Sequence, residues 1–175
     1  MIDHNSESAS DALGAVLKPI SPDDREAVVD LFNHYVENSF AAFPQDKVPY
    51  AFFDAMLEST RGYPTVAARD ADGKLLGFGL LRRHNPMPAF ARTAEITYFV
   101  APGSTGQGIG SRMLGELERR AGEQGIRTIL APISSLNEGS IAFHRKHGFA
   151  EVGRFKEVGV KNGRAFDVVW MQKIL

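Results

Sequence analysis

The apolar positions between Val28 and Val36 recur on a helical spacing. Val28, Val29, Leu31, Phe32 and Val36 share one face. Ser21-Pro22-Asp23-Asp24 stands just ahead of them. It offers a capping hydroxyl, a proline suited to a first turn and two acids for the positive end of the helix dipole. A helix is predicted from there to Ser39-Phe40-Ala41-Ala42-Phe43-Pro44, which breaks it. A short strand is predicted over Ala15 to Ile20, and a second helix over Ala51 to Arg61. Alternation then takes over. Pro64 to Arg69 and Lys74 to Arg82 read as antiparallel strands joined at Asp70-Ala71-Asp72-Gly73. After a loop at Asn85-Pro86-Met87-Pro88, Thr93 to Val100 reads as a third strand. The helical period returns with Ile109, Met113, Leu114, Leu117 and Ala121. It predicts a helix from Gly108 to Gln124, ended by Gly125. Thr128 to Ala131 reads as a short buried strand, and Glu138 to His147 as a helix stopped at Gly148. Ala150 to Lys161 and Arg164 to Ile174 pair about Asn162-Gly163, a strong hairpin signal.

Strands, then strand–helix–strand–helix, then a hairpin predict an α/β fold of the mixed kind. Its sheet is flanked by helices and holds a parallel pair in the middle. No repeat or low-complexity linker divides the chain, so residues 13–175 read as one domain. Residues 1–12 are small and polar, and are expected to be disordered.

Composition narrows the chemistry. A net charge of −1 supplies no general field toward nucleic acid or a membrane surface. There is no cysteine, so disulfides, thiolate metal sites and a cysteine nucleophile are excluded. The first residues have neither the basic nor the apolar region of a secretory signal, and no apolar run approaches the ~20 residues of a spanning helix. A cytoplasmic protein fits this composition.

The most informative segment runs from Glu95 to Gly110. A strand ends, a glycine-rich loop follows, and an amphipathic helix starts on the last glycines. Such a loop turns several backbone N–H groups toward one point, where the helix N-terminus adds about half a positive charge. The result is an anion cradle suited to a pyrophosphate. It is not a P-loop, because no lysine follows Gly108 or Gly110. It is not a dinucleotide fingerprint either, because Ser111 stands where the third glycine belongs. Taken alone, the loop is also compatible with a plain tight turn.

A second block lies downstream: Asn137 and Ser140, then His144 through Gly148-Phe149. With these two blocks in order, the chain from about residue 15 onward resembles the GNAT superfamily of N-acetyltransferases, and within it the phosphinothricin acetyltransferase-like branch. Thr93–Val100 resembles the family's central Thr-Ala-Glu strand, Gly106-Gln107-Gly108-Ile109-Gly110 its acyl-CoA pyrophosphate loop, and Asn137 with Ser140 its Asn-x-x-Ser helix start. The tail from Glu157 to Gln172 follows the same branch.

The resemblance implies the GNAT fold. This is a twisted, mostly antiparallel mixed sheet of about seven strands, flanked by about four helices, with its parallel pair splayed. It implies acetyl-CoA as co-substrate, no metal, and transfer of the acetyl group to a primary amine of a small molecule, an amino acid or a similar compound. Phe99, Val100, Thr105, Gly106, Gln107, Gly108, Ile109, Gly110, Ser111, Asn137 and Ser140 then face the cofactor. Thr105 stands where the family usually has glutamine or arginine, and Arg112, one turn on, is a candidate to restore the missing charge. Glu95 falls at the family's general-base position, against the alternative of a structural ion pair. His144 falls where a proton or hydrogen bond reaches the CoA sulfur, against the alternative of a packed helix histidine. A backbone N–H near Val100 is the expected donor to the oxyanion.

His34, Phe43 and Phe90 are the expected acceptor contacts. Met87 and Phe90 stand where the branch has an arginine and a tyrosine, so the herbicide-type substrate is not expected, and an acceptor with a less polar side chain is. A non-catalytic acyl-CoA-binding module and a protein N-acetyltransferase are the competing readings. A homodimer is expected, with Trp170 and Met171 on the tail hairpin as the candidate interface.

Overall fold

A computed structural model describes residues 14–175. The expectation for residues 1–12 lies outside the described residues. Along the chain run β1 (Val16–Lys18), α1 (Arg25–Asn38), α2 (Phe52–Ser59), β2 (Thr65–Arg69), β3 (Leu75–Arg83) and β4 (Thr93–Val100). They are followed by α3 (Ile109–Glu123), β5 (Thr128–Ser134), α4 (Glu138–Lys146), β6 (Ala150–Lys161) and β7 (Arg164–Ile174). The seven strands form one sheet in the order β1-β2-β3-β4-β5-β7-β6. Only β4 and β5 are parallel.

Helices cover both faces. On one, α3 buries Met113, Leu114 and Leu117 against Val66, Ile129 and Met171. On the other, α1 and α2 bury Val28, Val29, Val36 and Phe53 against Phe78 and Phe99. Double coverage explains why β3 is buried from Leu75 to Leu81 without alternation. Gly77 and Gly79 let α3 lie close on β3. A Cβ at Gly79 would stand 3.0 Å from Tyr98 Cβ and 3.1 Å from Leu117 Cδ1.

Three details differ from the sequence reading. Pro22–Asp24 forms a single 3-10 turn and α1 begins at Arg25, because Asp24 turns its carboxylate back to the Ser21 amide at 2.7 Å and pairs with Arg69. β5 continues through Pro132 to Ser134. Proline donates no ladder bond, and is tolerated where β4 has already left β5 and one side of the strand has no partner. Met171 is fully buried in the chain's own core. The exposed large apolar residues of the tail hairpin are instead Val152, Phe155, Val158 and Val160 on β6, with Ile174 at the end of β7.

The site depends on the parting of the parallel pair. β4 pairs with β5 only from Thr93 to Glu95, against Thr128 to Leu130. Beyond Glu95 the two strands separate, and the backbone of β4 that faces β5 has no strand partner.

Candidate active site

The wedge opens toward the glycine loop. Gly106 and Gly108 adopt φ of 75° and 79°, a left-handed conformation that a side chain would strain. The amides of Gly106, Gln107 and Gly108 make no hydrogen bond among the described residues. Ile109 and Gly110 add the unsatisfied N–H groups of the α3 N-terminus. Ile109 is buried and anchors the turn, whereas Thr105 to Gly108 are exposed. Thr105 donates its hydroxyl to the Pro102 carbonyl at 3.0 Å, and Gln107 donates to the Gly103 carbonyl at 2.9 Å. Ser111 lies one turn back, 2.9 Å from His147 Nε2, and ties α3 to the end of α4. Arg112 does not extend this cradle: its guanidinium donates to the Ala15 carbonyl at 2.7 Å and holds β1.

A cavity of about 440 Å³ runs through the wedge. On the α4 side it is lined by Ser134, Asn137, Ser140 and His144, with Tyr98 and Phe99 of β4 beside them. Asn137 caps α4, its side chain accepting from the Ser140 amide at 3.2 Å. His144 is buried, and its Nδ1 lies 2.7 Å from the Ser140 carbonyl. A carbonyl only accepts, so Nδ1 carries the proton and Nε2 accepts from the Tyr98 hydroxyl at 2.8 Å. Burial holds His144 below its ordinary pKa, and burial pushes the Tyr98 phenol well up. At the end of β4, the Val100 carbonyl accepts the Tyr35 hydroxyl at 2.5 Å.

On the α1–α2 side the wall is apolar, built from Phe32, Phe43, Phe52, Met56, Phe78 and Leu80, and it ends at Arg82. The β3–β4 register sets Arg82 opposite Glu95, so the two share the face of Phe78 and Phe99. Arg82 donates from Nε and Nη2 to Glu95 Oε2 at 3.2 and 2.7 Å. His84 Nδ1 lies 2.8 Å from Glu95 Oε1, and an ionised carboxylate only accepts, so Nδ1 is the donor. Glu95 itself is not among the residues that line the cavity; it stands beside Arg82, which is, in an ion pair with a side chain 13% exposed.

The predicted acceptor contacts divide. Phe43 lines the cavity, stacked on Phe166 at 5.8 Å. His34 does not: it is exposed on the outer side of α1, beside Asp30, Glu37 and Lys47, where it faces away from the wedge. Phe90 follows Pro88 in a 3-10 turn and meets the His84 ring at 6.0 Å, outside the cavity wall, and Met87 is exposed. The sequence reading missed Tyr98, and missed the closure of Arg82 and His84 on Glu95. The alternation of β4 carries a signal for Tyr98, which falls on the α3–α4 face with Ile96. Nothing in the sequence fixes the register of β3 on β4. Among the described residues no group of acidic or histidine side chains is arranged to hold a metal, and no helix is long and apolar enough to cross a membrane.

A parted parallel pair, an amide cradle at its open end and a cavity running through it are the arrangement of an acyl-CoA-dependent transferase. Comparison with known proteins makes the class specific. The model of the acetyltransferase (GNAT) family matches residues 28–149. The chain is 31% identical over 166 residues to a phosphinothricin N-acetyltransferase of Streptomyces coelicolor, over 91% of this chain and 95% of the relative. It is 32% identical over 164 residues to an L-methionine sulfoximine/L-methionine sulfone acetyltransferase of Pseudomonas paraeruginosa, over 91% and 94%. Among solved structures it superposes with a TM-score of 0.88 on a GNAT superfamily phosphinothricin acetyltransferase from Sinorhizobium meliloti in complex with AcCoA. That match has 28% identity and covers 93% of this chain and 89% of the other. The chain belongs to the GNAT acetyltransferase family. It is an acetyl-CoA-dependent N-acetyltransferase.

Proposed function

We propose that the protein, a single domain over residues 13–175, acetylates the primary amine of a small amino-acid-like molecule by direct attack in a ternary complex. The observation that carries this reading is the continuity of the cavity. One space joins the apolar wall of α1 and α2 to the wedge and to α4, so amine and thioester meet without a covalent enzyme intermediate. Loop amides from Gly106 to Gly110 hold the pyrophosphate. Thr105, Ser111, Asn137 and Ser140 border the cofactor's path, and Phe99 and Val100 flank the acyl group. An amide of β4 left unpaired near Val100 donates to the oxyanion. Glu95 takes the ammonium proton, directly or through one water, and frees the nitrogen lone pair. The nitrogen attacks the thioester carbon to form the N–C bond, and the oxyanion collapses with breaking of the C–S bond. The second N–H proton passes to the departing thiolate, which leaves as the free CoA thiol. Tyr98, which lines the cavity and is oriented by His144, supplies a hydroxyl to the departing sulfur. Phe43 belongs to the acceptor wall, whereas the positions of His34 and Phe90 give them no direct contact with an acceptor there.

Two further parts of the proposal concern the state of the protein. A homodimer formed through β6 is supported by its exposed Val152, Phe155, Val158 and Val160, and a monomeric mass by light scattering would count against it. A cytoplasmic location is supported by the absence of cysteine.

The test is thiol release from acetyl-CoA over a panel of amino acids, amines and short peptides. The protein contributes no thiol to the reading. Acceptor-dependent release that collapses in Glu95→Gln, at unchanged acetyl-CoA binding, is the expected result. Release that persists in Glu95→Gln removes Glu95 from the role of base.

A further inference from the structure

The acceptor side of the cavity carries one charge. Among the described residues lining the cavity, Arg82 is the only Asp, Glu, Lys or Arg. Its side chain is 43% exposed. Nε and Nη2 are spent on Glu95 Oε2, while Nη1 has no hydrogen bond among the described residues. Beside it, Glu95 has Oε1 held by His84. The edge of an apolar wall thus presents a cation, with an anion of 13% exposure beside it at 2.7 Å.

An α-amino acid presents the converse. Its ammonium and carboxylate sit on one carbon, and its side chain leaves that carbon in a third direction. Laid against the Arg82–Glu95 pair with charges opposed, its carboxylate meets Arg82 Nη1 and its ammonium meets Glu95. The side chain then lies on Phe32, Phe52 and Phe78. The same docking brings the reacting amine to the group assigned to take its proton.

We propose that the acceptor is a free α-amino acid with an apolar side chain, its carboxylate read by Arg82 and its side chain by the phenylalanine wall. This rests on the amine-acetylation reading above. A peptide N-terminus or a protein lysine has no carboxylate beside its reacting amine and forgoes the Arg82 contact. A charged side chain would lose its water against the wall without a partner.

The experiment compares kcat/KM for L-leucine, L-methionine and L-phenylalanine with that for their amides, in the unaltered protein and in Arg82→Gln and Arg82→Lys. An amide alters the basicity of its own amine, so the informative quantity is the acid-to-amide ratio and its change between proteins. In Arg82→Gln that ratio is expected to fall about ten- to a hundredfold, through the KM of the acids. Arg82→Lys recovers part of it, and acetyl-CoA binding is unchanged in both. Loss of the Glu95 partner slows acids and amides alike and leaves the ratio unmoved, so the ratio isolates carboxylate recognition. A ratio unaffected by Arg82→Gln overturns the assignment. So does an unaltered protein that takes L-aspartate or L-lysine as well as L-leucine. An unaltered protein that binds acetyl-CoA and acetylates no acid, amide or peptide overturns instead the reading on which the assignment rests.

Discussion

The Tyr98 hydroxyl stands 2.8 Å from His144 Nε2, and the proton on that contact belongs to the tyrosine. Neutral His144 has its only N–H committed to the Ser140 carbonyl, so it has none to offer at Nε2. Burial keeps the phenol protonated, and its single proton must turn from His144 Nε2 to the sulfur to steady a leaving thiolate by a hydrogen bond. Tyr98→Phe is therefore expected to lower kcat about tenfold or more, in the range of a positioned donor, with the acetyl-CoA KM little changed. His144→Gln should lower kcat less than Tyr98→Phe if His144 acts by orienting the phenol. Steady-state kinetics of the two variants decide this, and full kcat in Tyr98→Phe would take the hydroxyl out of the reaction.

The same pair makes stability depend on pH. Burial, the largest effect, lowers the His144 pKa; the hydrogen bond to Ser140 raises it, and the charge of nearby His147 lowers it further. In the unfolded chain the imidazole titrates near its ordinary value of about 6.5. Below that pH the unfolded state takes up a proton that the folded state refuses. The contribution is full above about 6.5 and is lost as pH falls toward the folded value, by at most about 1.4 kcal/mol per pH unit. Urea unfolding at pH 7.5 and pH 5.5 should show lower stability at 5.5. His144→Gln should flatten the slope, and an equal slope in both proteins would show that other groups carry it.

How far the sequence led can be read at particular residues. Helical period, alternation and the Asn162-Gly163 turn gave the elements, the two ends of the tail hairpin among them, because those signals are local. The helical period itself places His34 away from the acceptor. Phe32 and Val36 lie four residues apart on the inner face, and His34, two residues from each, points about 200° away from Phe32 at about 100° per residue. Glu95 is legible as a candidate, but its contact with Arg82 depends on the register across the connection between β3 and β4, which nothing local determines. The pairing of Tyr98 with His144 spans 46 residues and two elements, and only the folded chain brings them together.

Close packing of α3 on β3 gives a prediction about stability alone. A methyl at Gly79 would press on Tyr98 Cβ and Leu117 Cδ1, neither of which is the free end of a flexible chain in open space. Overpacking of this kind costs about 1–3 kcal/mol. Gly79→Ala should lower the Tm by several degrees in a thermal melt. Gly122→Ala, with nothing within 4 Å of its Cβ, serves as the control and should not lower it. A Gly79→Ala protein as stable as the parent would mean that the helix can back away at no cost.

Lys161 links the tail hairpin to the acceptor wall. It is buried to 1% exposure, and its ammonium donates to the carbonyls of Ser39 and Ala42, both at 2.8 Å. The neighbouring Asn162 amide donates to Gln45 at 3.0 Å, and Phe166 of the same hairpin stacks on Phe43. The segment so held supplies Ala41, Ala42, Phe43 and Pro44 to the cavity. Lys161→Met keeps most of the apolar stem but leaves two carbonyls without their donor, a loss of about 1–3 kcal/mol for groups that stay buried. The Tm is expected to fall. Beyond that, the acceptor KM should rise several-fold while the acetyl-CoA KM stays constant, because among the described residues no hydrogen bond or ring contact joins Lys161, Asn162 or Phe166 to the glycine loop or α4. A drop in Tm with an unchanged acceptor KM would reduce Lys161 to a structural lysine. A rise in both KM values would mean instead that the hairpin shapes the whole wedge, including the part that receives the thioester.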